Sequence, residues 1–285
     1  MTSEICLQMV RILSFTHVWI AGAAGWMTWA STTMLDTSQA HDSWCIWIGL
    51  STGLGYTVQR WIKFRLDAGS MPPMRQLFWS KGGSLMLIAW GVAWLAFTGW
   101  HWFELHLTSK IPWLITLCML GLLYAIVPGR SQGLRAYPWF KIPMIATAWA
   151  LATTPVWESS SVWLMASRWL LIAGLTLPFD VRDIKIDSTR ILTVPMAWGV
   201  NPALKVSCGL LLLSSVMLAP YVVPNFKDPS IFLAIQGLIA AALISQTRVQ
   251  QTLTEGSERT REQWTGLVLD GILWIPSIGM VLGII

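Results

Sequence analysis

The sequence predicts an all-α membrane protein in which nine transmembrane helices form a single domain over residues 1–285. Three observations lead to this fold class. Hydrophobic residues make up 54% of the chain, charged residues make up 12%, and the mean hydropathy is +0.57, which is far too apolar for a soluble domain of this size. The apolar residues also fall into segments about as long as a membrane span. Finally, the basic residues lie between those segments in a regular alternation.

Windows of about 20 residues define the nine candidate helices. In chain order they cover roughly 6–30, 43–62, 83–103, 111–127, 139–157, 161–179, 203–223, 229–246 and 266–285. The fourth and the eighth are shorter than a full crossing. The first lacks the basic start and the small-residue cleavage site of a signal peptide, so we expect it to be retained as a helix.

Lysine and arginine residues determine the predicted orientation. They concentrate in alternate connections, which are 63–82, 128–141, 180–205 and 247–265. The intervening connections hold only Lys110 and Lys227. Because basic connections stay on the cytoplasmic side, we expect the N-terminus and the four basic connections to be cytoplasmic. The net charge of +5 is then a consequence of topology, and it gives no reason to expect a nucleic-acid partner.

Tryptophan is abundant, with 20 residues in the chain. Many tryptophans fall near predicted span ends, where an amphipathic indole is stable at the level of the lipid headgroups. We therefore expect these side chains to be interfacial anchors. They are Trp44, Trp47, Trp61, Trp100, Trp102, Trp113, Trp157 and Trp163.

Three aspartates mark the end of the sixth predicted span. Asp180, Asp183 and Asp187 stand at i, i+3 and i+7, which on a helix places all three on one face where the span meets water. Carboxylate oxygens in such a cluster are typical of a divalent-cation site, and protein-bound Mg²⁺ commonly carries a phosphate-bearing substrate. The alternative is a solvated loop in which the aspartates pair with neighbouring cations such as Arg182 and Lys185. The spacing favours a magnesium site formed by the three aspartates.

The same stretch resembles the second Asp-rich motif of the UbiA superfamily of intramembrane prenyltransferases. In that family an Asp-x-x-Asp-x-x-x-Asp run leads into Thr-x-Pro and then Gly, and here residues 179–187 are followed by Thr193, Pro195 and Gly199. Two shorter stretches are also similar to family patterns. They are Leu123-Tyr124-Ala125 with the later Lys141, and Asp270-Gly271 in the last span.

The resemblance implies a fold, a site and an activity. We expect nine helices around a central cavity that opens to the cytoplasm and laterally to lipid, in a bacterial inner membrane. The implied reaction is the Mg²⁺-dependent transfer of a prenyl group from an isoprenoid diphosphate to a lipophilic acceptor. Two alternatives stay open: a terpene cyclase of the same superfamily, and a non-catalytic membrane protein that binds a lipid or a pigment. The sequence specifies neither the prenyl chain length nor the acceptor.

The first Asp-rich motif of the family is absent. Family members usually end helix two with Asn and Asp residues, whereas the stretch 56–67 of this chain carries Arg60, Lys63 and Arg65, and Asp67 is its one carboxylate. This form resembles a divergent bacterial branch of the superfamily. A single Mg²⁺ at the second motif would leave much of the diphosphate charge unscreened, so we expect Arg60 to act in catalysis and Lys63 in substrate binding, since a guanidinium fork suits phosphate oxygens. The alternative is that both residues only flank the second span.

Four further residues are candidates for substrate binding. Arg135 and Lys141 lie in a basic connection, where each is either a second cationic contact to the diphosphate or a topological signal. Tyr56 and Tyr124 are candidates for lining the allylic pocket, because an aromatic face stabilises a carbocation through cation–π attraction. The alternative for each tyrosine is simple packing.

Two polar residues lie inside predicted spans. Arg168 is also a substrate-binding candidate, because an intramembrane arginine is costly without a partner, and we expect that partner to be Asp270. A purely structural ion pair is the alternative. His17 lies midway through the first predicted span, where it is either a base near the acceptor or a hydrogen-bonded core histidine.

Overall fold

The computed structural model describes residues 13, 15–35, 41–71, 73–125, 137–155, 161–187, 192–222, 230–257, 260–261 and 264–281. Two of the sequence-predicted site residues fall partly or wholly outside this description. Arg135 lies outside the described residues, and for Asp187 the backbone is described but the side chain is not.

Within the described ranges every regular element is helical, which confirms the all-α prediction. The main helices are α1 (Val18–Met34), α2 (His41–Asp67), α3 (Pro73–Trp100), α4 (Ile111–Ala125), α5 (Pro138–Thr153), α6 (Val162–Asp187), α8 (Val200–Val216), α10 (Ser230–Ser245) and α11 (Thr247–Glu255). Shorter helices are α7 (Val194–Trp198), α9 (Ala219–Val222), α12 (Asp270–Ile272) and α13 (Ile275–Val281). A π-helical segment, Trp264–Leu269, leads directly into α12.

Several of these helices have the length and apolar composition of membrane spans. In the described part of the chain, four stretches qualify: Arg75–Trp100, Leu107–Tyr124, Val162–Ile184 and Val200–Val222. A fifth is added if α10 and α11, which are bent by 70° relative to each other, form one broken span. The chain is thus an integral membrane protein. Each of the nine segments predicted from the sequence overlaps a described helix, and the number of nine crossings stays a prediction.

Two of the basic connections predicted as loops are largely helical. The segment 63–82 is not a loop, because α2 extends to Asp67, a 3-10 turn covers Ala68–Ser70, and α3 begins at Pro73. The aspartates of the second motif likewise lie on the last turns of α6 and not in the following loop. Lysine and arginine are good helix formers, so the helices continue beyond the apolar windows from which the spans were predicted.

The helices pack around α1 and α6, which lie at the centre of the protein. Helix α1 packs against α2 and α5, α2 packs against α3, and α6 packs between α5 and α8. Helix α10 continues the ring from α8, and α13 contacts both α10 and α1. Helices α3 and α4 are the most exposed of the apolar spans, so they face lipid, whereas more than half of α6 is buried.

Small residues allow close contacts between α1 and α2. A Cβ atom added to Gly25 of α1 would lie 3.1 Å from the carbonyl oxygen of Cys45, and one added to Gly49 of α2 would lie 3.0 Å from that of Ala21. The two backbones therefore approach as closely as their atoms permit. Such contacts are typical of membrane helices, where packing takes over from the hydrophobic effect as the force for helix association.

A proline interrupts the backbone hydrogen bonds of α6 near the end that carries the aspartates. Pro178 has no N–H, so it leaves the carbonyl oxygen of Gly174 without its helical donor. The hydroxyl of Ser207 on α8 donates to that oxygen at 2.7 Å, and Ser207 is fully buried. Helix α8 thus supplies the donor that Pro178 lacks, and it fixes the part of α6 that precedes Asp180.

The tryptophans do not all lie at the membrane interface. Trp100 and Trp163 are exposed, as expected for anchors, but Trp44 and Trp47 are buried and their rings stack at 5.2 Å. The indole N–H of Trp47 donates to the hydroxyl of Thr98 at 2.9 Å. The anchor prediction was therefore wrong for Trp44 and Trp47, because α2 presents them to neighbouring helices and not to lipid. Trp157 lies outside the described residues.

Candidate functional site

A cavity of about 380 Å³ lies between helices α1 to α6 and the segment around α12. Seven of the residues predicted as site residues line it: Tyr56, Arg60, Lys63, Tyr124, Lys141, Asp180 and Asp183. These residues are scattered over four helices and 128 positions of the sequence, from 56 to 183. The fold therefore brings together most of the predicted site.

The cavity has a charged end and an apolar, aromatic end. On α2, Arg60 and Lys63 follow Tyr56 by one and two turns, and on α6 the aspartates follow Ile172 and Leu175. At a rise of about 1.5 Å per residue, the lining of each helix changes from apolar to charged over about 10–16 Å. The wall is thus amphiphilic, with the charges gathered at one end of each helix.

Asp180 is paired with a lysine of the neighbouring helix. The Lys141 ammonium of α5 lies 2.5 Å from Asp180 Oδ1, and the carboxylate is 1% exposed. A buried carboxylate needs such a partner, because an unpaired charge in the protein interior costs several kcal/mol. Lys141 was predicted as a contact to the diphosphate. In the structure it lines the cavity, and its ammonium is held there by the ion pair with Asp180.

Asp183 is held by its sequence neighbour. The Arg182 guanidinium donates to both carboxylate oxygens, from Nε at 2.6 Å and from Nη2 at 2.7 Å. Arg182 Nη1 also donates to the hydroxyl of Thr265 at 2.7 Å, and Arg261 Nη1 donates to the carbonyl oxygen of Arg182 at 2.8 Å. This network ties the end of α6 to the segment before α12 and fixes the orientation of the guanidinium.

Basic residues outnumber acidic ones along the described part of the cavity wall. Five basic side chains line it: Arg60, Lys63, Arg75, Lys141 and Arg182. Three aspartates line it as well: Asp180, Asp183 and Asp270. Five positive charges against three negative charges give a net charge of +2 for these lining residues. The charged end of the cavity is therefore suited to an anion.

Arg75 is a cavity residue that sequence reasoning missed. It lies near the start of α3, and its guanidinium carbon is 5.7 Å from the ring centre of Phe15. In the sequence, Arg75 appeared as one of four basic residues in a predicted loop. Arg75 could have been found by extending the third predicted helix back to Pro73, because this helix packs directly against α2.

The residues present do not fit a Mg²⁺ site of the predicted kind. In the described part of the chain, no group of three or more His, Cys, Asp and Glu side chains is placed to hold a metal ion. Of the predicted ligands, Asp180 is bonded to Lys141, and Asp183 uses both oxygens to bind Arg182. The side chain of Asp187, the third predicted ligand, lies outside the description. A metal at these two carboxylates would therefore compete with two cations that already neutralise their charge.

The aromatic end of the cavity contains Tyr56 in a fixed orientation. The indole N–H of Trp149 on α5 donates to the Tyr56 hydroxyl at 3.2 Å, and both residues line the cavity. Trp19, Trp79 and Phe179 also contribute to the wall. Phe179 lies at the charged end, where the Arg182 guanidinium is 5.1 Å from its ring centre, so aromatic faces extend along the cavity to the charged residues.

His17 lies beside this aromatic group, directly before α1. Its backbone has a left-handed φ of 61°, and its side chain is buried. The Thr57 hydroxyl donates to the carbonyl oxygen of Gly53 at 2.7 Å and lies 3.1 Å from His17 Nδ1. Because the hydroxyl proton is already used, Nδ1 must be the donor to Thr57. In the neutral ring this places the proton on Nδ1 and leaves a lone pair on Nε2.

Arg168 belongs to the helical core and does not line the cavity. Its guanidinium donates to the carbonyl oxygen of Met27 and the hydroxyl of Ser31 on α1, each at 3.1 Å, and to the amide oxygen of Gln236 on α10 at 3.3 Å. The predicted partner Asp270 is not among these acceptors and instead lines the cavity. The expected ion pair was therefore wrong, because neutral oxygens of two neighbouring helices solvate the charge. These contacts support a structural role, and substrate binding by Arg168 stays a prediction.

Comparison with known proteins identifies the fold. No protein-family model matches the chain, and no curated protein matches it. A solved structure of a digeranylgeranylglyceryl phosphate synthase, a membrane prenyltransferase of the UbiA superfamily, is similar at a TM-score of 0.53 and 14% sequence identity. The alignment covers 98% of this chain and 96% of that one. The resemblance seen in the second Asp-rich motif is thereby confirmed for the architecture, and the chain has the fold of the UbiA-superfamily prenyltransferases.

Proposed function

We propose that the protein transfers a prenyl group from an isoprenoid diphosphate to a lipophilic acceptor within the membrane. The observation that carries this proposal is the amphiphilic cavity, whose charged end has a net positive lining and whose other end is apolar and aromatic. An isoprenoid diphosphate has the same division, with a polyanionic head and a hydrocarbon tail. The similarity to a prenyltransferase fold supports the same reaction class.

The diphosphate would bind at the charged end. Arg60 and Lys63 stand one turn apart on α2, so both reach the same side of the cavity. Arginine matches phosphate oxygens with a planar pair of donors, and lysine supplies a compact charge. By the sequence resemblance, these side chains stand where acidic residues of the first motif would be expected, and we assign them to the diphosphate.

The reaction would begin when the bond between C1 of the prenyl group and the diphosphate oxygen breaks. The electron pair leaves with the diphosphate, whose growing charge the basic residues stabilise. The allylic cation would lie against aromatic faces such as Tyr56 and Trp149, which stabilise it through cation–π attraction. The acceptor then forms the new bond to C1 and releases a proton, and we assign the lone pair of His17 Nε2 to accept it.

The orientation of the cavity in the membrane determines how each substrate would reach it. We assign the N-terminus and the charged end of the cavity to the cytoplasmic side of the membrane, which we take to be a bacterial inner membrane, because the four basic connections favour that orientation. Isoprenoid diphosphates are charged and reach the cavity from water, whereas the acceptor and membrane lipid would reach it from the bilayer. A cysteine introduced at Ser70 should therefore be protected from an impermeant thiol reagent added outside intact cells.

The abundance of aromatic faces also supports a second candidate, a UbiA-type terpene cyclase. Trp19, Tyr56, Trp79, Trp149 and Phe179 all line the cavity, and a cyclase needs such faces to stabilise a cation that moves along the chain. A cyclase would ionise the same diphosphate but would quench the cation internally. A protein that only binds lipid or pigment would leave the diphosphate intact.

One experiment separates these three functions. The purified full-length protein in lipid nanodiscs is incubated with farnesyl or geranylgeranyl diphosphate, with and without a membrane-lipid extract, and the products are identified by mass spectrometry. We expect a prenylated product and released diphosphate only in the samples that contain the extract. A cyclised hydrocarbon without the extract would indicate the cyclase, and intact diphosphate in every arm would contradict both enzymatic functions. Arg60→Gln should reduce turnover, whereas Arg248→Gln, at an exposed arginine of α11, serves as the matched control.

A further inference from the structure

The two described carboxylates of the Asp-rich run are already engaged by cations of this chain. Asp180 Oδ1 lies 2.5 Å from the Lys141 ammonium, and the two oxygens of Asp183 lie 2.6 and 2.7 Å from Arg182. Charge-assisted hydrogen bonds of this length are among the strong polar contacts of proteins. The Lys141–Asp180 contact is largely shielded from water, with side chains 14% and 2% exposed, and the Arg182–Asp183 contact is partly shielded, with side chains 11% and 27% exposed.

A Mg²⁺ ion at this position would compete directly with these contacts. Mg²⁺ requires oxygen ligands at about 2.0–2.1 Å in near-octahedral geometry. The bidentate Arg182 fork covers both oxygens of Asp183, and its third bond to Thr265 holds the fork in place. Binding of the metal would weaken the ion pairs of two cations and would place their charges beside a divalent cation. The described wall already carries a net charge of +2, so this repulsion opposes the metal further.

The same wall meets the needs of a diphosphate without a metal. Its basic residues come from four helices: Arg60 and Lys63 from α2, Arg75 from α3, Lys141 from α5 and Arg182 from α6. They surround one cavity, so their donors approach an anion from several sides. A diphosphate carries about three negative charges at neutral pH, and a cluster of guanidinium and ammonium groups neutralises such a charge by direct hydrogen bonds.

We infer that Asp180 and Asp183 act as ion-pair partners that hold Lys141 and Arg182 in the cavity wall, and that the cavity binds a diphosphate through its basic side chains without a divalent cation. The inference rests on the proposed function, since it concerns the diphosphate of that reaction. It replaces the two metal-binding motifs of the family pattern with direct contacts to arginine and lysine.

Binding of inorganic pyrophosphate tests the inference without any turnover. The full-length protein in nanodiscs is titrated by calorimetry in excess EDTA and again in excess MgCl₂. We expect binding in EDTA, and we expect Mg²⁺ to improve the affinity by no more than about threefold, which corresponds to about 0.7 kcal/mol. An improvement of more than tenfold would overturn the inference and leave the proposed function intact. Absence of binding in both buffers would instead count against the diphosphate site as a whole.

Two variants at one ion pair separate a metal ligand from an ion-pair partner. Asp180→Asn removes the contact that positions the Lys141 ammonium, but it also removes a negative charge from the wall. Because these two effects oppose each other, the affinity for pyrophosphate in EDTA should change by less than about tenfold. If Asp180 were a metal ligand, this variant would instead lose binding that depends on Mg²⁺. The double variant Lys141→Gln/Asp180→Asn keeps the net charge and avoids an unpaired buried carboxylate, and it should weaken binding in EDTA by about 10- to 150-fold through the lost contact with the anion.

An arginine outside the cavity provides the control variant. Arg248→Gln removes an exposed arginine outside the cavity and should leave the affinity unchanged in both buffers. If Asp180→Asn weakens binding more than tenfold, or if the double variant binds like the wild type in EDTA, the carboxylates do not have the role inferred here. Size-exclusion profiles and melting temperatures of all variants confirm that each comparison is made on folded protein.

Discussion

Replacing Ser207 by alanine should destabilise the contact between α8 and α6 before Pro178. The Ser207 hydroxyl donates to the carbonyl oxygen of Gly174 at 2.7 Å, and Pro178 cannot supply the backbone N–H that would otherwise bind this oxygen. The variant therefore leaves a buried carbonyl oxygen without a donor. Such a loss costs about 1–3 kcal/mol in proteins. Hydrogen bonds between membrane helices are worth about 0.6–1.7 kcal/mol, so we expect a cost of about 1–2 kcal/mol.

The melting temperature of the full-length protein in a fixed detergent measures this cost. For a chain of this size, about 1 kcal/mol shifts the melting temperature by about 2–4 °C, so Ser207→Ala should lower it by about 2–8 °C. The second substitution is Pro178→Ala, which restores a backbone N–H that can donate to the Gly174 oxygen. In the Pro178→Ala background, Ser207→Ala should cost close to nothing, because the carbonyl oxygen no longer depends on the serine.

The double-mutant comparison refutes the reasoning if Ser207→Ala costs the same whether residue 178 is proline or alanine. Ser214→Ala is the matched control, because the Ser214 hydroxyl donates to the Leu211 carbonyl oxygen within its own helix. Its cost should be equal in both backgrounds. Stability is the readout of choice here, since Pro178 lies two residues before Asp180 and its replacement also moves the cavity wall.

Three further predictions concern other parts of the molecule. Arg168→Lys keeps the charge but not the three-way fork, so it should lower stability by about 1–3 kcal/mol in thermal melts while pyrophosphate affinity is unchanged. Gly237→Ala places a Cβ atom against a backbone carbonyl oxygen of α8, and the same melts should show a loss of about 1–3 kcal/mol, with no loss for Gly209→Ala, whose added Cβ meets open space. A hydrogen bond from Ser43 and a smaller contribution from His101 lower the pKa of Glu104 below its ordinary 4.5. Ionised Glu104 therefore stabilises the fold above that pH, and this stabilisation is lost as the pH falls below it. The difference in melting temperature between wild type and Glu104→Gln should therefore shrink when the pH is lowered from about 6 to about 4, and a constant difference would contradict this.

Most of the architecture could be predicted because the bilayer imposes simple rules on sequence. Apolar segments of about 20 residues must become helices in lipid, since every backbone group has to be bonded internally. Helix ends were harder to predict, and the segment 63–82 shows why. The hydropathy window registers where the apolar residues stop, whereas the helix continues through Arg65 to Asp67 because charged residues support a helix that reaches water.

The site was predictable where its residues share one helix and not where it depends on packing. The spacing of Asp180 and Asp183 indicated a common face, and both residues do line one cavity. Their partners could not be read from spacing, because Lys141 reaches Asp180 only after α5 has packed against α6. The same holds for Arg75, which enters the cavity through the packing of α3 on α2, and for Arg168, whose acceptors lie 68 to 141 residues away in the chain.

The ion pairs also explain how an Asp-rich run fits a cavity whose opposite wall is basic. Without the carboxylates, the five basic side chains of the described wall would face one another in a site of low dielectric constant, and their mutual repulsion would oppose the folded state. Asp180 and Asp183 offset part of that repulsion and hold two of the cations in fixed positions. A carboxylate with this task should be replaceable together with its cation at modest cost to stability, whereas a metal ligand cannot be replaced in that way without loss of the metal. The paired substitution of Lys141 and Asp180 therefore tests both what the run binds and why the chain contains it.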